Sequence, residues 1–219
     1  MVITIDGPAA AGKSTTAKLV AAALGVCHID SGSLYRAATA ARARTGGEAA
    51  TWTEDELLEA VALVTLQLVG GGFAPVIAGR NADDELRTGQ VTAAVPRVAQ
   101  MPRVRAWVNT QVRRAAQGND VVVDGRDMGT AVFPDAEVKV YLVADSWERA
   151  RRRVLQRGGG EPTDEVVAKE TSQLVERDER DAGQSVQAAD AVVIDTTALT
   201  QDEQVARIVA LVHARMPRG

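Results

Sequence analysis

Gly7-Pro8-Ala9-Ala10-Ala11-Gly12-Lys13-Ser14 is the stretch that decides the fold. Its spacing fits G-x-x-x-x-G-K-[ST], and four fixed positions arise by chance in a chain of this size about one time in a hundred. The context fits as well. Val2-Ile3-Thr4-Ile5 is a compact β-branched run ending at Asp6, and a helical pattern extends from Gly12 to about Leu24, closed by Gly25. Strand, glycine loop and helix in that order form a phosphate-binding P-loop. Glycines let the backbone wrap an anion, successive N–H groups point inward, and the helix adds the positive end of its dipole. Lys13 brings a full charge to the terminal phosphates, and Ser14 offers a hydroxyl to Mg²⁺. The candidate donor-binding set is therefore Gly7, Pro8, Ala9, Ala10, Ala11, Gly12, Lys13, Ser14 and Thr15, with Ser14 as metal ligand. Lys13 is expected to face solvent, so that its removal opens no cavity.

Beyond the loop, short apolar runs alternate with helical patterns. Val26–Asp30, Asp120–Asp124, Val138–Val143 and Ala191–Asp195 all read as strands without polar alternation. Strands buried on both faces look like this, and intervening helices make the sheet a parallel α/β one. Two segments depart from the order. Between Thr65 and Arg87, Leu66–Val69 and Ala74–Ala78 flank the triplet Gly70-Gly71-Gly72 and read as an inserted hairpin. From Arg149 to Asp181, basic residues precede Gly158-Gly159-Gly160 and acidic ones follow Pro162, with Thr163 placed to cap a helix that opens on Asp164 and Glu165. Both glycine triplets read as turns or hinges.

Composition narrows the function. The chain has 219 residues, of which 46% are hydrophobic and 25% charged, with 25 basic against 29 acidic side chains and a net charge of -4. No excess positive field exists to gather the phosphates of a polymer, which argues against nucleic-acid or membrane-surface binding. One cysteine, Cys27, excludes an internal disulfide and suits a reducing compartment. Two histidines exclude a His-rich metal centre. The opening residues show no basic leader and no run approaches a membrane span, so a cytoplasmic location is expected. Trp52, Trp107 and Trp147 are expected to pack, and Cys27 to be a buried strand residue.

Which P-loop chemistry remains open. A guanine-reading switch needs an Asn/Thr-Lys-x-Asp run, which is absent, and a large ATPase needs more chain. A small-molecule kinase needs a cationic acceptor pocket on loops at the strand ends. Asp30-Ser31-Gly32-Ser33-Leu34-Tyr35-Arg36 and Asp124-Gly125-Arg126-Asp127 are such loops. The guanidinium forks of Arg36 and Arg126 suit a dianionic phosphate. Asp124 reads as the strand-end carboxylate that steadies Mg²⁺ through water.

Along essentially its whole length the chain resembles the bacterial cytidylate kinases. The matching runs start at Ile5, at Asp30 (Asp-Ser-Gly-Ser-Leu-Tyr-Arg), at Pro102 (Pro-Arg-Val-Arg), at Asp124 (Asp-Gly-Arg-Asp-Met-Gly-Thr-Ala-Val-Phe-Pro-Asp) and at Arg177 (Arg-Asp-Glu-Arg-Asp). The resemblance implies one kinase domain over 1–219: a P-loop NTPase-type parallel core flanked by helices, a small antiparallel acceptor-binding insert at about 62–90, and a helical lid at about 149–182. It implies transfer of the ATP γ-phosphate to CMP or dCMP. A monomer is expected. Lys13, Arg126 and Asp124 would serve catalysis. Arg36 and Arg126 would hold the acceptor phosphate, Ser31 and Tyr35 would line its pocket, Arg105 and Asp127 would face the cytosine edge, and Arg177 and Asp181 would approach from the lid. Arg149, Arg153 and Arg157 are candidate lid arginines, since Arg151, Arg152 and Arg153 cannot share one helix face. Two positions depart from the family: Gln184 stands where a cation is usual, and Pro96 where a base-contacting serine is usual. A kinase for UMP or a non-nucleotide acid, and a nucleotide-dependent switch, are the alternatives.

Overall fold

The computed structural model describes residues 1–158 and 160–215. Gly159, in the second glycine triplet, lies outside the described residues. The chain runs through β1 (Val2–Asp6), α1 (Lys13–Leu24), β2 (Cys27–Asp30), α2 (Ser31–Ala43) and α3 (Glu54–Ala60). There follow β3 (Val64–Val69), β4 (Gly72–Ile77), β5 (Arg80–Asn81), α4 (Asp83–Leu86), α5 (Gly89–Val98) and α6 (Pro102–Ala116). The last third holds β6 (Val121–Asp124), β7 (Val138–Val143), α7 (Ser146–Gln156), α8 (Asp164–Asp181), β8 (Val192–Asp195) and α9 (Gln201–Arg215). Two compact units result, one from residues 1–26 with 122 onward, the other from 27–121.

In the first unit, β1 lies between β6 and β7, with β8 beyond β7. β1 and β7 pair in parallel with Ile3 opposite Val138 and Ile5 opposite Val140. β7 and β8 do the same, Leu142 facing Ile194. Alternation along β1 sends Ile3 and Ile5 into an apolar layer with Ala17 and Val20 of α1 and Ile208 and Val212 of α9. Each isoleucine buried there contributes about 1.5–3 kcal/mol relative to exposure. The opposite face of β1 carries Thr4 and Asp6, both buried. Thr16 and Gln204 join α1 to α9 through a 3.0 Å hydrogen bond.

The α7–α8 pair belongs to this unit. Asp145 caps α7, accepting from the N–H groups of Trp147 and Glu148. Thr163 does occupy the N-cap position of α8, but its hydroxyl makes no capping bond, so the helix start leans on Asp164 and Glu165 instead. The three consecutive arginines of α7 point three ways: Arg151 to Glu161, Arg152 to Glu148 and the Thr196 and Thr197 carbonyls, Arg153 to Glu170. Trp147 is 41% exposed, contrary to its expected packing role, because the first turn of α7 leaves it on the solvent side.

In the second unit β4 is central, parallel to β2 and antiparallel to β3 and β5. The inserted hairpin is therefore real, its strands meeting at Gly70-Gly71. α2 presents Leu34, Ala37, Ala38 and Ala41, fully or almost fully buried; small side chains of this kind allow close helix packing, and α5 lies against it. Trp52 is 1% exposed and carries the Arg42 guanidinium 5.0 Å from its ring centroid. Cys27 is half-buried at the start of β2, less enclosed than a core strand residue.

Candidate active site

The P-loop leaves β1 through Gly7, at φ 146, where a Cβ would stand 2.2 Å from the Leu142 carbonyl oxygen. Only glycine allows β1 and β7 to stay paired there. Gly12 takes φ 87 and Ala10 φ 60. An alanine in the left-handed region costs about 1–2 kcal/mol, strain held where the loop must curl around an anion.

Lys13 opens α1, and its Nζ donates to the Pro8 carbonyl at 2.7 Å. It is 8% exposed, not solvent-facing as its sequence context suggested. Burial pushes the ammonium well below its ordinary range; Arg126 and Arg177 press the same way, while Asp124 and Asp6 oppose. A polyphosphate at the loop would add negative charge beside Lys13 and favour its charged form. Ser14 Oγ donates to Asp124 Oδ2 at 2.5 Å, with Asp124 buried at the end of β6. Two hard oxygens so close suit Mg²⁺, which takes few protein ligands and completes its shell with phosphates and water. Among the described residues no cluster of three or more acidic, histidine or cysteine side chains could cage a metal.

Around the loop stand charges from the segment after β6 and from the α7–α8 pair. Arg126 Nη1 donates to the Gly7 carbonyl at 3.2 Å, and Asp181 lies 3.6 Å from the Nε atoms of both Arg126 and Arg177. Three of the expected residues thus converge, and Asp127 is buried beside them in the chain. Arg149 grips the loop directly: Nη1 donates to the Ala9 carbonyl at 2.9 Å and pairs with Asp178 at 2.7 Å, while Asp178 accepts from the Ala9 N–H at 3.4 Å. Ala9 and Ala10 also pack on Ala150, Val167 and Leu174. Arg153 and Arg157 behave differently from Arg149, both pairing with the buried Glu170.

Sequence reasoning missed Asp178 and Asp6. Asp6 accepts backbone N–H bonds from Met128 at 3.0 Å and Gly129 at 2.8 Å, and burial pushes its carboxyl up to about 6 against the pull of those bonds. An aspartate closing a short β-branched run, on the same face as Thr4, was the available signal.

In the second unit, Asp30 caps α2 by accepting from the Ser33 N–H at 3.1 Å, which sets Ser31, Tyr35 and Arg36 on its first two turns. Ser31 is buried. Arg36 Nη1 donates to the Leu86 carbonyl at 3.1 Å and to Thr92 Oγ1 at 3.3 Å, and burial, then Arg87, lowers its hold on the proton. Arg105 sits in the first turn of α6, half-buried, donating to the Ala99 carbonyl at 3.3 Å. Pro96 is inside α5, and Gln184 donates its N–H to the Asp181 carbonyl at 2.9 Å.

A parallel sheet, a glycine loop wrapped on a buried lysine and a serine–aspartate oxygen pair define a P-loop nucleotide-binding protein. A family model described as cytidylate kinase matches residues 3–214. The cytidylate kinase of Thermus thermophilus is 42% identical over 211 residues, covering 95% of this chain and 97% of the relative. A bifunctional pantoate ligase/cytidylate kinase from Synechococcus is 39% identical over 225 residues, 99% of this chain but 43% of that protein, so the chain spans less than half of it. Among solved structures, shikimate kinase from Bacteroides thetaiotaomicron aligns over 97% of this chain and 98% of its own, with a TM-score of 0.47 and 14% identity. The chain belongs to the cytidylate kinase family. Among the described residues no helix is long and apolar enough to cross a membrane.

Proposed function

We propose that the protein transfers the γ-phosphate of ATP to CMP or dCMP, giving ADP and CDP or dCDP, and that residues 1–219 act as one kinase domain with α7–α8 as its lid and β3–β5 within its acceptor-binding insert. The observation that carries this is the Asp-Gly-Arg-Asp-Met-Gly run folded against the P-loop, with Arg126 bonded to Gly7 and facing Asp181.

The acceptor phosphate is already anionic, so no protein base is required. Positioning and charge neutralisation are the work. P-loop N–H groups and Lys13 hold the donor phosphates, and Arg126 and Arg177 neutralise charge developing on the transferred group. Ser14 and Asp124 would hold Mg²⁺, which when bound neutralises charge on the donor phosphate oxygens. Arg36 would take the acceptor phosphate, Ser31 and Tyr35 its surroundings, and Arg105 and Asp127 the cytosine edge, with Asp181 steadying Arg126 and Arg177. A monomer is inferred; the acidic balance speaks against nucleic-acid or membrane-surface binding, and the single cysteine suits a reducing compartment.

An ADP-release assay with a panel of acceptors tests the reading. ADP release stimulated by CMP and dCMP is expected. Stimulation by UMP or a non-nucleotide acid instead, or by no acceptor, overturns it.

A further inference from the structure

Three consecutive residues of the β1–P-loop junction each grip the segment that follows β6. The Ile5 carbonyl accepts from the Gly125 N–H at 3.2 Å. The Asp6 carboxylate accepts from Met128 N–H on Oδ1 and Gly129 N–H on Oδ2. The Gly7 carbonyl accepts from Arg126 Nη1. Residues 125–129 are therefore held at both ends and in the middle.

Asp6 differs from the other two because its grip is made by a side chain. Met128 and Gly129 open the helical turn Met128–Val132, and the first N–H groups of any helix lack intrahelical acceptors. Asp6, 4% exposed, supplies acceptors for two of them from across the sheet. The fit is tight: a Cβ on Gly129 would lie 2.9 Å from Thr4 Oγ1 and 3.4 Å from Asp6 Oδ2. Burying a carboxylate in this layer works against folding, and a neutral side chain of the same shape would be easier to bury. What the carboxylate does there is hold two backbone amides of the segment after β6 at once, which a neutral amide side chain could not do.

We propose that Asp6 is a positioning residue that locks the 125–129 loop onto the start of the P-loop, so that Arg126 and Asp127 stand in fixed register with the donor phosphates. Its kinetic consequence rests on the proposed use of CMP as acceptor. The lock itself does not.

Asp6→Asn keeps the size, loses the charge and sets an NH₂ group against one of the two N–H donors. Hydrogen exchange at Met128 and Gly129 is expected to quicken by about tenfold or more, the scale of losing one hydrogen bond to a charged group. In the same variant KM for CMP is expected to rise by about fivefold or more, with kcat lowered, while KM for ATP changes by less than about twofold. The thermal midpoint is expected to fall modestly, since one buried N–H loses its acceptor. Unchanged exchange at those amides, or CMP and ATP constants that rise together, overturns the proposal. Asp6→Ser provides the same readouts if the asparagine variant does not fold. Should the wild-type protein not use CMP at all, the proposed function fails alone, and the exchange rates still decide the lock.

Discussion

Two glycines of the P-loop should fail very differently when each is replaced by alanine. At Gly7 the added Cβ lies 2.2 Å from the Leu142 carbonyl oxygen, far inside the 3.0 Å that real Cβ atoms essentially never breach. The obstacle is backbone of the paired strand β7, which cannot swing aside like a side-chain tip. Forcing β1 and β7 apart resembles overpacking a core, about 1–3 kcal/mol, and the φ of 146 adds about 1–3 kcal/mol of backbone strain. For a chain of this size each kcal/mol moves the midpoint by about 2–4 °C, so Gly7→Ala should melt on the order of 10 °C lower. At Gly12 the nearest atoms to an added Cβ are 3.6 and 3.8 Å away, ordinary contact, and only the left-handed backbone at φ 87 resists. Ala10 already tolerates φ 60 in the same loop, so Gly12→Ala should cost about 1–2 kcal/mol and a few degrees. Circular dichroism melts and urea titrations of both variants under one buffer measure the difference. Equal losses, or a larger loss at Gly12, would refute the steric account of Gly7.

Lys13→Met should remain folded, because it removes a buried cation crowded by Arg126 and Arg177, yet kcat should fall at least about a hundredfold in the ADP-release assay. If Asp127 and Arg105 read cytosine as proposed, kcat/KM for CMP over UMP should be on the order of 10² to 10³, and Asp127→Ala should shrink that ratio; equal wild-type rates on both would remove the assignment. Gln184→Arg should tighten CMP binding roughly tenfold by calorimetry if it adds one charge-assisted hydrogen bond, and unchanged affinity would mean the site is satisfied from elsewhere. Asp6, raised from 3.8 to about 6, binds its proton more tightly folded than unfolded, so its ionisation weakens the fold as pH rises through 6. Asp6→Asn lacks that term: its stability relative to wild type should fall by about 1 kcal/mol between pH 7.5 and pH 5 in urea unfolding, and a relative gain would contradict the shift.

Local chemistry was legible in the sequence; long-range reach was not. The P-loop, β1, α1 and β7 are contiguous patterns whose periods declare themselves, and the meeting of Ser14 with Asp124 agrees with their motif positions. The grip of Arg149 and Asp178 on Ala9 was hidden, because it depends on how α7 lies against α8, 29 positions apart on partners that look like ordinary helix charges. Lys13 was misjudged for the same reason: a loop lysine reads as exposed until the arginines and carboxylates that close over it are in place. Residues 83–116 gave little, since α4 is a single turn and α5 contains Pro96, a helix breaker in sequence terms. The hairpin was recognisable from its glycine turn, but β3 and β4 each begin two residues before the runs that suggested them.

The hold that Arg149 and Asp178 keep on both backbone groups of Ala9 makes the phosphate loop and the α7–α8 pair one thermodynamic system. Any donor that reshapes the loop must alter the stability of that helix pair, and whatever loosens the pair must alter donor affinity by the same factor. Asp178 could then be seen by calorimetry as a determinant of nucleotide affinity without touching a phosphate. The tie between helix pair and loop runs through a single alanine's N–H and C=O, so it is made with backbone that no substitution at that alanine other than proline removes.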